Sequence, residues 1–142
     1  MEKEEVFTVH VAINGSVEMK NVEGNSVVMI SFTGHASGPC FEGRVLEGGV
    51  DTQIIGPSGT PHTLSARYML RGTDRAGQPC EIYIENNGEI DKRLETEGIL
   101  FRTSPKLETN SAELSFLNKE NLVGEGRPSE DGVEIKIYRL ES

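Results

Sequence analysis

The feature that most constrains this chain is a side-chain period of two that recurs along its length, with almost no helical spacing in between. In residues 6–13, VFTVHVAI, Phe7, Val9, Val11 and Ile13 fall on one face, and Thr8 and His10 on the other. In residues 63–71, TLSARYMLR, Leu64, Ala66, Tyr68 and Leu70 oppose Ser65, Arg67, Met69 and Arg71. Near the end, Val133, Ile135 and Ile137 face one way. Extended backbone sends alternate side chains to opposite faces, so these are half-buried strands.

Other segments fill in the same picture. VVMISFTG (27–34) is rich in β-branched residues, and FEGRVL (41–46) and VDTQII (50–55) are strands parted by EGG. CEIYIEN (80–86) pairs back on residues 63–71 across a turn at Asp74–Gly77. ILFRTS (99–104) and KLET (106–109) meet at Pro105, and LVGEG and GVEIKIYRL (132–140) follow. NGSVEMKNVEGN reads as a polar connection, HASGPC as a loop and Asn87-Gly88 as a turn. Only EIDKRLETEG has helical spacing, with Ile90 and Leu94 four apart and Gly98 placed to end a short helix or turn. SAELSFLN reads as one helical turn. Nine or ten short strands, with turn signals every ~8–12 residues, predict one all-β antiparallel domain over residues 1–142, a barrel or a sandwich.

Charge and small motifs exclude several functions. The formal net charge is −9 and the fourteen Lys and Arg are scattered, which disfavours nucleic acid and anionic membrane surfaces. The start, MEKEEVFTVH, lacks the basic and then apolar pattern of a secretory signal, and no apolar run approaches the ~20 residues of a membrane span. The expected location is therefore cytoplasmic. There Cys40 and Cys80 read as reduced, buried thiols. His10, His35 and His62 are far apart with no metal-ligand spacing, so no metal is expected. GPSG and GEGRPSEDG are not phosphate loops, GEG opens no dinucleotide-binding unit, and Gly-x-Ser-x-Gly is absent, so no cofactor is expected either.

Several segments together carry a resemblance. SFTGHASGPCFEGRVLEGGVDTQII, LSARYMLR, IYIENNG, FRTSPKLET, FLNKENLVGEG and DGVEIKIYRL, in this order, resemble the bacterial and fungal domain-of-unknown-function family 3237. The resemblance runs from about residue 6 to the end. It implies a single closed antiparallel barrel of about eight to ten strands, calycin-like or allene-oxide-cyclase-like, with minimal helix and no established general activity. Polar positions typical of the family match as Asp51, Gln53, Arg67, Tyr68, Asn86, Arg102, Thr103, Glu108 and Asn118. Thr52 stands where many members carry Trp, Ser65 where many carry Asp, and the segment 89–98 looks shorter than in many relatives.

In a closed barrel alternate side chains point inward, and a barrel of this size is either filled or holds one small ligand. Asp51 and Gln53 share a strand face, Asn86 lies with Ile82 and Ile84, and Arg102 with Leu100. A buried Asp51 needs a partner, and Arg67 or Arg102 is the expected one. The candidate lumen residues are Asp51, Gln53, Arg67, Tyr83, Asn86, Arg102, Glu108 and Asn118. The leading expectation is binding of a small organic molecule in the lumen. A second is a cofactor-free isomerase, cyclase or lyase, with Asp51 or Glu108 moving a proton and Arg67, Arg102 or Tyr83 stabilising an oxyanion. A third is a filled structural barrel that forms homo-oligomers.

Overall fold

The computed structural model describes residues 3–140, so the two residues at either end of the expected 1–142 domain lie outside the described residues. Ten strands follow in chain order: β1 Lys3–Lys20, β2 Ser26–Ser37, β3 Phe41–Val45, β4 Val50–Ile55, β5 His62–Asp74, β6 Pro79–Ile90, β7 Phe101–Thr103, β8 Lys106–Thr109, β9 Leu122–Pro128 and β10 Gly132–Leu140. They form one antiparallel sheet in the order β3-β5-β4-β2-β1-β10-β9-β7-β6-β8 rather than two packed sheets. The order does not simply end. β5 bonds to β6 as well as to β4, and β3 to β2 as well as to β5.

Several strands run further than the sequence pattern predicts. The polar stretch after Ile13 is not a connection: β1 continues to Lys20, paired with β2 from Gly15↔Ser31 to Lys20↔Ser26. A register shift between Ile13 and Gly15 absorbs the Asn-Gly that interrupts the alternation. A turn then closes the hairpin, with Asn21 Oδ1 accepting from the backbone N–H groups of Glu23 and Asn25 (3.1 and 2.9 Å). Likewise Asn87-Gly88 is no turn, because β6 runs on to Ile90 and pairs with β5 up to Thr63↔Glu89. HASGPC begins as strand, since β2 extends to Ser37. Gly34 inside it has φ +145°, and a Cβ there would strike the His10 carbonyl, so only glycine lets β1 and β2 approach this closely.

The helical spacing at 90–98 becomes a 3-10 helix over Lys92–Glu97. Asp91 caps its start by accepting from Arg93 N, and Gly98 ends it in the left-handed region. A second 3-10 helix spans Ser115–Asn118. The core is densest where Val6, Phe7, Val9, Phe41, Leu70, Ile82, Ile84, Leu107, Leu114, Leu117 and Ile137 are fully buried. On the outer wall, Val17, Met19, Met29 and Ile54 are exposed apolar side chains. They come together through the pairings Val17↔Met29, Met19↔Val27 and Val27↔Ile54.

Candidate functional site

The fully buried side chains of the dense core do not line the neighbouring space. There the inner face lines a partly open cavity of about 70 Å³ among Val11, Ile13, Ile30, Phe32, Leu64, Ala66, Phe101, Val133 and Ile135, with four polar side chains: Asp51, Gln53, Tyr68 and Asn86. Strand register explains why these four meet. Ile30, Asp51, Ala66 and Asn86 sit opposite one another in a row across β2, β4, β5 and β6. Tyr68 lies two residues along β5 from Ala66, hence on the same face. Its ring meets Phe32 edge to face at 5.2 Å.

One half of the site is a hydrogen-bonded chain. His62 Nε2 donates to Gln53 Oε1 (2.6 Å), and Gln53 Nε2 donates to Asp51 Oδ2 (2.8 Å). A carboxylate only accepts, so Asp51 fixes the Gln53 amide orientation, and the amide oxygen in turn fixes His62 as the tautomer carrying its proton on Nε2.

The other half is unmet. Asp51 Oδ1, Tyr68 OH, Asn86 Oδ1, Asn86 Nδ2 and Thr103 Oγ1 are buried without a hydrogen-bond partner. Asn86 is 0% exposed, and Tyr68 and Thr103 are 4% each. The Ser65 backbone amide also acts on the Asp51 carboxylate from β5, but Oδ1 has no bond of good geometry. Each such group costs about 1–3 kcal/mol when left unpaired. Burial pushes the Asp51 carboxyl above its ordinary range, against the pull of Gln53, Ser65 and His62. Burial, and then the Asp51 charge, push the Tyr68 phenol far up, so it stays a hydrogen-bond donor at neutral pH.

Strand β9 gives the cavity wall its shape. Gly124 faces Thr103, and Gly126 faces Phe101 across the β7–β9 pair. A Cβ at Gly126 would overlap the Phe101 ring, and one at Gly124 would overlap Thr103 Oγ1 and touch Asn86 Oδ1 at 3.5 Å. Phe101 and Thr103 therefore lie flat against bare backbone. Between the two glycines Glu125 points to the other side of the sheet, where its side chain is 2% exposed under Lys3, Arg102 and Arg127. Burial alone would raise its carboxyl, but bonds from Lys3 and Arg102 hold it below the ordinary range.

Only Asp51, Gln53 and Asn86 of the eight candidate lumen residues line the cavity. Arg67 is exposed on the outer wall and makes no bond to Asp51. The reason is register: Asp51 pairs with Ala66 and Arg67 with Val50, so the pleat sends Asp51 and Arg67 to opposite faces. Arg102 is also outside, because its neighbours Phe101 and Thr103 take the inward positions, and it bonds Glu125 through Nε (3.1 Å). Tyr83 and Glu108 line a shallow outer groove, where Tyr83 OH donates to Glu85 (2.9 Å). Asn118 is exposed and accepts from Thr109 N (2.8 Å), which ties down the segment after β8. Tyr68 and His62 lie outside the candidate set read from the sequence, yet Tyr68 lines the cavity and His62 bonds Gln53. The alternation of Leu64, Ala66 and Leu70 already put Tyr68 on the buried face, whereas His62 follows Pro61 and carried no strand signal. His35 lies in β2, stacked on His10 with ring centroids 4.6 Å apart. Among the described residues no three His, Cys, Asp or Glu side chains are placed to hold a metal, and no helix is long and apolar enough to cross a membrane.

An antiparallel sheet curled around a small, mostly apolar cavity with a few unmet polar groups defines a class of β-barrel-like proteins. In fold, a solved β-barrel-like protein from Acinetobacter baumannii superposes with TM-score 0.75 at 21% identity, over 99% of this chain and 96% of that one. The family model described as "Protein of unknown function (DUF3237)" matches residues 1–140, and the chain belongs to that family. A UPF0311 protein from Clostridium acetobutylicum is 30% identical over 154 residues, covering 99% of this chain and 94% of the relative. The crystal structure of a protein of unknown function from the same species superposes with TM-score 0.81 at 30% identity, over 99% of this chain and 97% of that one.

Proposed function

We propose that the sheet closes into a barrel and that its lumen binds a small neutral organic molecule bearing a carbonyl or hydroxyl group. The observation that carries this reading is the set of unmet polar atoms of Asp51, Tyr68 and Asn86 in an otherwise apolar cavity. Natural cores keep few such groups, and a handful of convergent polar atoms in an apolar hole is the usual form of a small-molecule site. Asn86 Nδ2 and Tyr68 OH supply donors, and Asn86 Oδ1 and Asp51 Oδ1 supply acceptors, so a carbonyl and a hydroxyl are both accommodated. Among the described residues no cation lines the cavity to offset Asp51, which disfavours an anionic ligand. The volume favours a molecule of a few heavy atoms unless Ile13, half exposed among the lining residues, moves aside.

Ligand-observed saturation-transfer NMR tests this with acetone, 2-propanol and acetate, probes of four heavy atoms each. The ketone and the alcohol should receive transfer from wild-type protein and acetate should not, and Asn86→Leu should abolish the transfer. Absence of transfer to both neutral probes, or transfer untouched by Asn86→Leu, would overturn the reading.

A further inference from the structure

We propose that the lumen also catalyses proton transfer at a carbon next to a carbonyl group, with Asp51 as the base and Tyr68 and Asn86 as donors to the oxygen. The inference rests on the binding reading above and adds a reaction to it. A site that only held a neutral carbonyl compound would need donors alone. This one also contains a carboxylate with one oxygen tethered by Gln53 and the other free. The free oxygen belongs to a lining residue of the same cavity as Tyr68 and Asn86, and the Asp51 charge acts on the Tyr68 phenol.

The step balances without a cofactor. Asp51 Oδ1 takes a proton from the α-carbon, the C–H electron pair becomes a C=C bond, and the carbonyl π pair moves onto oxygen. That oxyanion accepts hydrogen bonds from Tyr68 OH and Asn86 Nδ2, donors unspent on other partners. Asp51 then either trades this proton for one from solvent and returns it to the same carbon or, in an unsaturated ketone, delivers it to a carbon further along, and the oxyanion pair re-forms the carbonyl. The net result is hydrogen exchange in the first case and double-bond migration in the second. Burial supports the role by raising the proton affinity of Asp51, which makes it a stronger base than an exposed carboxylate. Gln53, held in turn by His62, is a positioning residue: its bond to Oδ2 turns the free Oδ1 and favours the ionised form.

The test is exchange of the α-hydrogens of acetone in D2O, followed by proton NMR, with binding of the same ketone measured in parallel. Wild-type protein should accelerate exchange over buffer. Asp51→Asn should lose about 100-fold or more of that acceleration, the scale of a positioned general base. Gln53→Leu should move the midpoint of the pH–rate profile upward, because it removes a bond that favours the carboxylate, a shift that a purely structural role would not cause. Thermal melts confirm that each variant folds. Binding without acceleration in wild type, or acceleration that survives in Asp51→Asn, overturns the catalytic inference and leaves the binding reading standing. No binding at all removes both.

Discussion

Replacing Asn86 by leucine should make this protein more stable, which is unusual for a change at a fully buried position. Asn86 is 0% exposed, and neither its amide oxygen nor its amide nitrogen has a partner. Its neighbours on the inner face of β6 are Ile82 and Ile84, and opposite it on β5 lies Ala66. Leucine branches at the same atom, so it fills the same space without polar atoms. An unpaired buried amide costs about 1–3 kcal/mol, and the larger apolar side chain adds a little more burial. Against this stands some crowding toward Gly124, where Asn86 Oδ1 already comes close. Taking the middle of these terms, the gain is about 2 kcal/mol, or roughly 6 °C in Tm for a chain between the size classes for which the conversion is known. Urea unfolding followed by circular dichroism reads it directly, and the slope should stay unchanged while the midpoint rises. A variant that is no more stable than wild type, or less stable, would show that the amide is satisfied in solution. The case for a site held open at the expense of stability would then fail.

Three further outcomes follow from other parts of the molecule. Glu125→Gln should lose about 2 kcal/mol at neutral pH, less than a fully buried pair would, because the cations around it are partly exposed and regain water. The folded-state pKa of Glu125 is lowered, so its contribution is present above the ordinary carboxylate range and is lost as pH falls through the folded value; a denaturation series between neutral and acid pH should be flatter in the variant. Gly126→Ala should destabilise by about 1–3 kcal/mol in urea melts, since its methyl group takes the place of the Phe101 ring. Cys40 and Cys80 are each 2% exposed, and burial raises both thiols, so neither should react with an aromatic disulfide reagent until the chain is unfolded.

The period of two made much of the wall legible. Leu64, Ala66, Tyr68 and Leu70 against Ser65, Arg67 and Met69 is the division between buried and exposed side chains that β5 shows. Asn86 was readable in the same way, as a polar residue in the row of Ile82 and Ile84. The partners of that row were not, because alternation gives a face and not a register. Arg67 looked like a counter-charge for Asp51 until the pairing Asp51↔Ala66 set the two on opposite sides. Local turn chemistry misled at Asn87-Gly88 for a related reason: a long-range ladder to β5 and the packing of Thr103 over Gly88 outweigh the hairpin preference of the dipeptide. The Gly124–Glu125–Gly126 triplet read only as a fragment of strand, though it leaves one face of β9 bare and buries a carboxylate on the other.

The pairing of β1 with β10 sets the order of events when the chain folds. Residues Lys3 to Ala12 find their second neighbour only in Gly132 to Leu140, and the Lys3–Glu125 ion pair joins positions 122 apart in sequence. The entropy of closing so long a loop grows only slowly with its length, so stability suffers little, but the search is long. Folding should be limited by this non-local ladder, on the millisecond-to-second scale of proteins dominated by distant strand pairs. On a ribosome the first strand would wait for the last to emerge. During that wait its open edge, with Phe7, Val9 and Val11 on one face, is a template for other chains, and the net charge of −9 opposes such association.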